Sequence, residues 1–189
     1  CISDPGEPLV QLCHQLGVPM EVVPGPSAAI AALAISGQHT SRFAFEGFLS
    51  VNRNQRAAHL EQLRDEQRTM IFYEAPHKLC RTLADMAAVF GGDRSLSLCR
   101  ELTKIHEEVQ LTTFAQAIAY YENTPPRGEY VLVVAGAVPQ KAESVTLEEA
   151  VEQVRRCVAD GQKLTQACKT VAAETGYRKS ELYDAVQES

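Results

Sequence analysis

The chain has 189 residues, 45% of them apolar and 22% charged, with a net charge of −6. That length can bury a sizeable core in one or two domains of about 100–200 residues. No apolar run reaches the roughly 20 residues of a membrane helix, and the acidic balance lacks the basic footprint of a non-specific nucleic-acid binder. RNA stays open as a substrate, because a local basic patch can coexist with an acidic whole. The six cysteines form no C-x-x-C pair and no zinc-like spacing with the histidines. They read as reduced thiols of a cytoplasmic protein with neither a structural disulfide nor a metal.

The first residues, Cys1-Ile2-Ser3-Asp4-Pro5-Gly6, are turn-rich rather than a leader peptide, and read as a connection with no strand before it. Residues 8–16 have helical spacing, with Leu9, Leu12, Cys13 and Leu16 on one face and Gly17 as the stop. Met20-Glu21-Val22-Val23 predicts a buried strand, and Pro24-Gly25-Pro26-Ser27 a turn into a small-residue helix from Ala28 to Ile35. A second block follows: strand 43–48, helix 53–68, strand 70–73, a helix opened by Pro76, strand 96–99, helix 114–121 and the continuous apolar strand 130–136. Strands alternating with helices predict parallel strands in an α/β layer. The run 139–145 reads as a linker, and Thr146 as the cap of the first of three short helices resembling a helix-turn-helix bundle. The expected division is therefore 1–40, 41–138, linker 139–145 and helical domain 146–189. The C-terminal helices read as a packing or interaction element.

Chemistry concentrates where strands end. Pro24-Gly25-Pro26-Ser27-Ala28 joins a strand to a helix, and the free N–H groups of that first turn can face a polar ligand or simply close a tight turn. Ser3-Asp4-Pro5-Gly6 is a turn of the same kind. Tyr73-Glu74-Ala75-Pro76-His77-Lys78 brings a phenol, a carboxylate, an imidazole and an ammonium to one strand end, where Glu74 either serves a ligand or caps the helix. Arg100-Glu101-Leu102-Thr103-Lys104-Ile105-His106-Glu107-Glu108 places two cations, three carboxylates and an imidazole just beyond an apolar strand. A salt-bridged surface loop and a reactive sheet edge both fit that composition. There is no G-x-G-x-x-G, no phosphate loop and no G-x-S-x-G, which leaves group transfer from a bound organic donor.

These strings, with Ser36-Gly37, Phe45-Glu46-Gly47-Phe48 and Gly128-Glu129-Tyr130-Val131-Leu132-Val133, resemble the ribosomal RNA small-subunit methyltransferase I family. Its members are cytidine 2′-O-ribose methyltransferases of the tetrapyrrole-methylase (class III) fold. The resemblance covers nearly the whole chain. It implies two α/β domains, the first incomplete here, and a small C-terminal helical bundle. It also implies S-adenosylmethionine as donor, small-subunit ribosomal RNA as substrate, a homodimer and a cytoplasmic location. Carried over by position, Ile2, Ser3, Asp4, Gly25, Pro26, Ser27, Ala28, Tyr73, Glu74, Ala135 and Gly136 would line the donor site. Arg100, Glu101, Lys104 and Glu107 would serve catalysis or shape the acceptor side. The family's opening strand and its Ala-Thr-Pro-x-Gly-Asn-like turn are not in this sequence, which implies a donor pocket short of one wall and weakened binding. Leu111-Thr112 stands where the family has Gly-Thr, and Lys78 where it has Arg. Two alternatives remain: a methylase of the same fold acting on a corrin or porphyrin, and a non-catalytic module that contacts RNA or the ribosome.

Overall fold

Alternation of side chains along the strands decides how the first unit is built. The computed structural model describes residues 1–138 and 145–188. The chain divides into two compact units, 1–138 and 139–189. In the first, α1 (Glu7–Leu16) and α2 (Ala28–Ile35) precede β1 (Phe43–Phe48), α3 (Arg53–Gln62), β2 (Thr69–Glu74), α4 (Pro76–Phe90), β3 (Ser95–Arg100), β4 (Glu108–Thr113), α5 (Phe114–Asn123) and β5 (Tyr130–Val134). The strands form one sheet in the order β1-β2-β5-β3-β4.

Met70, Phe72, Leu96, Leu98, Leu132 and Val134 point to one side, where Leu60 of α3, Leu79, Leu83 and Met86 of α4, and Phe114 of α5 cover them. The intervening residues Ile71, Cys99, Val131 and Val133 point the other way and pack on Ala29, Ala32 and Leu33 of α2. This is the period-two logic of a strand buried on both faces. Each large aliphatic or aromatic side chain so buried stabilises the fold by about 1.5–3 kcal/mol. The alanines of α2 let its backbone lie close to the sheet. Two buried hydroxyls are matched: Ser97 Oγ donates to the Ser36 carbonyl at 2.6 Å, and Thr69 Oγ1 to the His39 carbonyl at 2.6 Å.

The sheet corrects the parallel-strand expectation. Only β1 and β2 run parallel; β2–β5, β5–β3 and β3–β4 are antiparallel. The apolar run of β5 reflects burial on both faces, which a central strand has whatever its direction. Residues 108–113, to which the sequence pattern assigns no element, form the edge strand β4, with Leu111 63% exposed. Residues 20–23 are not a strand, and Val22 and Val23 are 87% and 88% exposed. Among the described residues no neighbouring strand offers them a hydrogen-bonding ladder. Helix α3 ends at Gln62 rather than near Arg68. Glu66 accepts the Arg68 backbone N–H at 2.8 Å and its guanidinium at 2.6 Å, fixing a turn there.

In the second unit, α6 (Leu147–Ala159), α7 (Leu164–Thr175) and α8 (Lys179–Glu188) bury Ala150, Val154, Ala167, Cys168, Val171 and Leu182 among themselves. Thr146 and Glu149 form a reciprocal capping box at the start of α6. Most of the expected linker, residues 139–144, lies outside the described residues.

Candidate functional site

Strand directions decide what meets what. With β1, β2 and β3 running one way and β5 the other, the C-terminal ends of the first three share a rim with the N-terminal end of β5. Phe48, Tyr73–Glu74, Arg100 and Glu129–Tyr130 therefore meet at that rim. A cavity of about 430 Å³ opens there, lined by Ser3, Ala28, Phe48, Tyr73, Glu74, Ala75, Pro76, Glu129, Tyr130 and Val131.

Tyr73 is fixed by edge contacts to Phe45 and Phe48, with ring centroids 5.1 and 5.5 Å away. Its hydroxyl accepts the Ala29 N–H at 3.1 Å, so one free amide of the first turn of α2 is answered by protein. Ser27 precedes α2 in extended backbone, and its side chain makes no capping bond. Glu74 is 5% exposed. One of its oxygens accepts the Ala75 N–H at 2.8 Å and the other the Thr82 hydroxyl at 2.5 Å. Glu74 thus secures the start of α4 while lining the cavity.

The loop between β3 and β4 is bound onto the start of β5. Glu101 Oε1 accepts the Glu129 N–H at 2.9 Å and Lys104 Nζ at 2.9 Å, and Lys104 also reaches Glu129 Oε2 at 3.0 Å. Glu107 accepts the Thr103 N–H at 2.6 Å. Among the described residues, three non-glycine residues adopt left-handed backbone, and all belong to the segments gathered here: Ser3 (φ 54°), Glu101 (φ 50°) and Thr103 (φ 63°). Each costs about 1–2 kcal/mol, and such strain collects where geometry serves a site.

The ion pair tunes itself. The Lys104 ammonium, with help from the Glu129 backbone amide, holds the Glu101 carboxyl below its ordinary value of 4.5. Glu101 and then Glu129 hold the Lys104 ammonium above 10.5. A lowered carboxyl contributes above its unfolded pKa and loses that contribution as pH falls through the lower folded value. A raised ammonium contributes below its unfolded pKa and loses it as pH rises through the higher folded value. Protection of 101–107 from proteolysis is thus expected to be flat between those limits and to weaken only on the acid and alkaline flanks. A transition near neutrality would contradict this assignment.

Of the residues singled out in the sequence, Ser3, Ala28, Tyr73 and Glu74 line the cavity, and Arg100, Glu101, Lys104 and Glu107 stand on its rim or in the loop tied to it. Ile2, Asp4, Gly25 and Pro26 are exposed and outside the lining. Ala135 and Gly136 are not brought to this rim. They follow the far end of β5, roughly 16 Å away along a five-residue strand. A Cβ on Gly136 would meet the Gln67 carbonyl oxygen at 1.9 Å, so this glycine serves close backbone packing. Phe48, Glu129, Tyr130 and Val131 are lining residues that the sequence reading left out. Their strings were visible, but only an antiparallel β5 brings 129–131 to this edge.

The profile of the tetrapyrrole (corrin/porphyrin) methylases matches residues 1–118. The chain belongs to this family. The matched stretch carries the two N-terminal turns, the Tyr73–Pro76 strand end and the 101–107 loop. It is 43% identical over 182 residues to the ribosomal RNA small subunit methyltransferase I of Synechocystis sp., covering 96% of this chain and 65% of that one. It is 42% identical over 189 residues to the protein of the same name from Mycobacterium tuberculosis, covering 100% and 65%. The chain thus spans just under two thirds of the length of these relatives. The crystal structure of the methyltransferase CobJ shares the fold at a TM-score of 0.52 and 19% identity, over 69% of this chain and 56% of that one. That of a diphthine synthase does so at 0.52 and 14%, over 68% and 53%. Among the described residues no helix is long and apolar enough to cross a membrane.

Proposed function

We propose that this chain transfers a methyl group from S-adenosylmethionine to the ribose 2′-hydroxyl of a cytidine in small-subunit ribosomal RNA. The observation that carries the reading is the cavity lined by Ser3, Tyr73 and Glu129 at the rim, whose apolar wall adjoins a charged loop. Its volume of about 430 Å³ falls in the range of about 300–1,000 Å³ usual for small-molecule sites. Ala28, Phe48, Pro76 and Val131 suit a flat heterocycle, while Ser3, Tyr73 and the Glu129 carboxylate offer polar and anionic partners. That mixture fits a donor joining an adenosine to a cationic sulfonium, and the Tyr73 ring favours a cation beside it. When bound, S-adenosylmethionine supplies an electrophilic methyl group.

In this reading Ser3, Ala28, Tyr73 and Glu74 hold the donor, with Ile2, Asp4, Gly25, Pro26 and Ser27 on the turns that frame it. Arg100, Glu101, Lys104 and Glu107 order the acceptor side. A ribose hydroxyl is a weak nucleophile, so a carboxylate within reach of its proton, or a cation that stabilises the alkoxide, would assist its attack. Glu129 is the candidate, because it lines the cavity and its side chain is 83% exposed to an arriving substrate. Residues 1–40 and 41–138 serve as parts of two α/β domains, and the enzyme acts as a cytoplasmic homodimer.

The test incubates the chain with methyl-labelled S-adenosylmethionine and small ribosomal subunits, then digests the RNA to nucleosides. Label in 2′-O-methylcytidine is the expected result. Label on a base or absent from RNA overturns the reading, and label passing instead to a precorrin-type acceptor selects the tetrapyrrole alternative.

A further inference from the structure

Behind the proposed donor cavity lies a second hollow of about 250 Å³, lined by Arg100, Glu108, Tyr120, Tyr121, Arg127 and Tyr130 among others. Tyr130 lines both hollows, so they share a wall. Three aromatic rings form a chain through it. Tyr120 meets Tyr121 edge-on at 5.0 Å, and Tyr121 meets Tyr130 edge-on at 6.2 Å. The Tyr121 hydroxyl donates to Tyr130 Oη at 3.3 Å, and the Arg127 backbone N–H reaches the same oxygen at 3.3 Å. Burial, reinforced by that hydrogen bond, pushes the Tyr121 hydroxyl upward, so it stays protonated and locks the inner two rings together.

The outer ring, Tyr120, is 45% exposed and free to accept a flat partner. Arg127 is exposed, and its guanidinium enters no ion pair among the described residues. Arg100 Nε and Nη2 both donate to Glu108 Oε2, at 3.0 and 2.8 Å. Glu108 Oε1 takes part in neither bond. Two guanidinium groups against one carboxylate make this cleft locally cationic in a chain of net charge −6.

A polar-tipped aromatic face beside an unpaired arginine is the chemistry that holds an unstacked base and its phosphate. The hollow is too small for a tetrapyrrole macrocycle but suits one base. A carboxylate oxygen set beside a guanidinium also discriminates: it accepts from the exocyclic amine of cytosine, where uracil presents an acceptor instead. We propose that this cleft receives the target nucleotide, with an unpaired cytosine against Tyr120, its edge on the Arg100–Glu108 pair and its phosphate on Arg127. The inference rests on the ribose-methylation reading and adds where the nucleotide docks.

Binding of an unpaired oligoribonucleotide carrying a single cytosine is measured alongside calorimetry with S-adenosylmethionine, for the wild-type chain and three variants. Tyr120→Ala is expected to weaken RNA binding by about tenfold or more. Arg127→Gln should lower the slope of log affinity against log salt by about 1. Glu108→Gln should narrow the preference for the cytosine oligonucleotide over its uracil twin, a ratio that a merely structural role would leave alone. Donor binding should stay at wild-type strength in all three. RNA bound equally by wild type and all variants overturns the cleft assignment while leaving the methylation reading in place. Donor binding without any RNA binding by the wild-type chain overturns both.

Discussion

Gly128→Ala is expected to leave the fold standing and yet to cut the proposed methyl transfer by about 10²-fold. Gly128 has φ 77°, a left-handed value, and a Cβ there would sit 2.5 Å from Glu101 Cγ and 2.7 Å from Cδ. The backbone cost of alanine in that conformation is about 1–2 kcal/mol, a minor part of the roughly 5–15 kcal/mol that holds a domain together. The side-chain clash is relieved by turning Glu101 away, because a side chain rotates more readily than the backbone shifts and, among the described residues, only two hydrogen bonds to the Glu101 carboxylate hold it in place. That escape frees the Glu129 N–H and Lys104 Nζ together, since both bonds end on the same Glu101 oxygen. The variant therefore separates folding from function. Its melting temperature should fall only modestly, its 101–107 loop should become protease-sensitive, and its kcat should collapse, because a misplacement of about 1 Å can cost about 10²-fold. A stable variant with wild-type kcat would show that the loop's attachment to β5 is irrelevant to turnover.

The helices were largely legible because each carries its own signals. Pro76 opens α4 at its first turn and Gly91 closes it, and the Leu79–Leu83–Met86 spacing puts one face inward. Thr146 announced α6 in the same local way, and the structure adds Glu149 as its capping partner. Strand direction is not a local property, and there the reading went astray. Alternating strands and helices suggested parallel crossovers, whereas β5 enters between β2 and β3 in reverse. Residues 20–23 show the converse failure. Their β-branched pattern reads as strand, but a strand exists only when a partner answers its backbone groups. β4 escaped notice because an edge strand lacks the apolar alternation that burial imposes on inner strands.

The same point governs the site. Tyr73, Glu74 and the 100–108 charges could be singled out because polar groups right after an apolar strand need a reason to be there. Ala135 and Gly136 were grouped with them on the assumption that every strand ends at one edge. Reversing β5 moves those two to the opposite rim and brings Glu129 and Tyr130 into the lining. The signal for that exchange was available only in part. Gly128 just before a strand marks a left-handed turn, but nothing local says that the turn faces Glu101.

If the Glu101–Lys104 pair positions the acceptor side, the two residues should fail as a unit. Glu101→Ala and Lys104→Ala are each expected to lower kcat by about 10²-fold, with the KM for S-adenosylmethionine nearly unchanged, since neither residue lines the donor cavity. The double variant should be no worse than either single one. Lys104 touches Glu101 and Glu129, and once Glu101 is gone the anchor it shares is already lost. Contacting residues in one network show such non-additivity, whereas independent groups would multiply to about 10⁴-fold. Conservative replacements sharpen the test. Glu101→Gln keeps an acceptor for the Glu129 N–H, and Lys104→Arg keeps the charge, so each should recover part of the rate if geometry is what matters. Multiplying losses, with no recovery in the conservative variants, would instead make Glu101 and Lys104 separate participants in the chemistry, each acting directly on the reacting atoms.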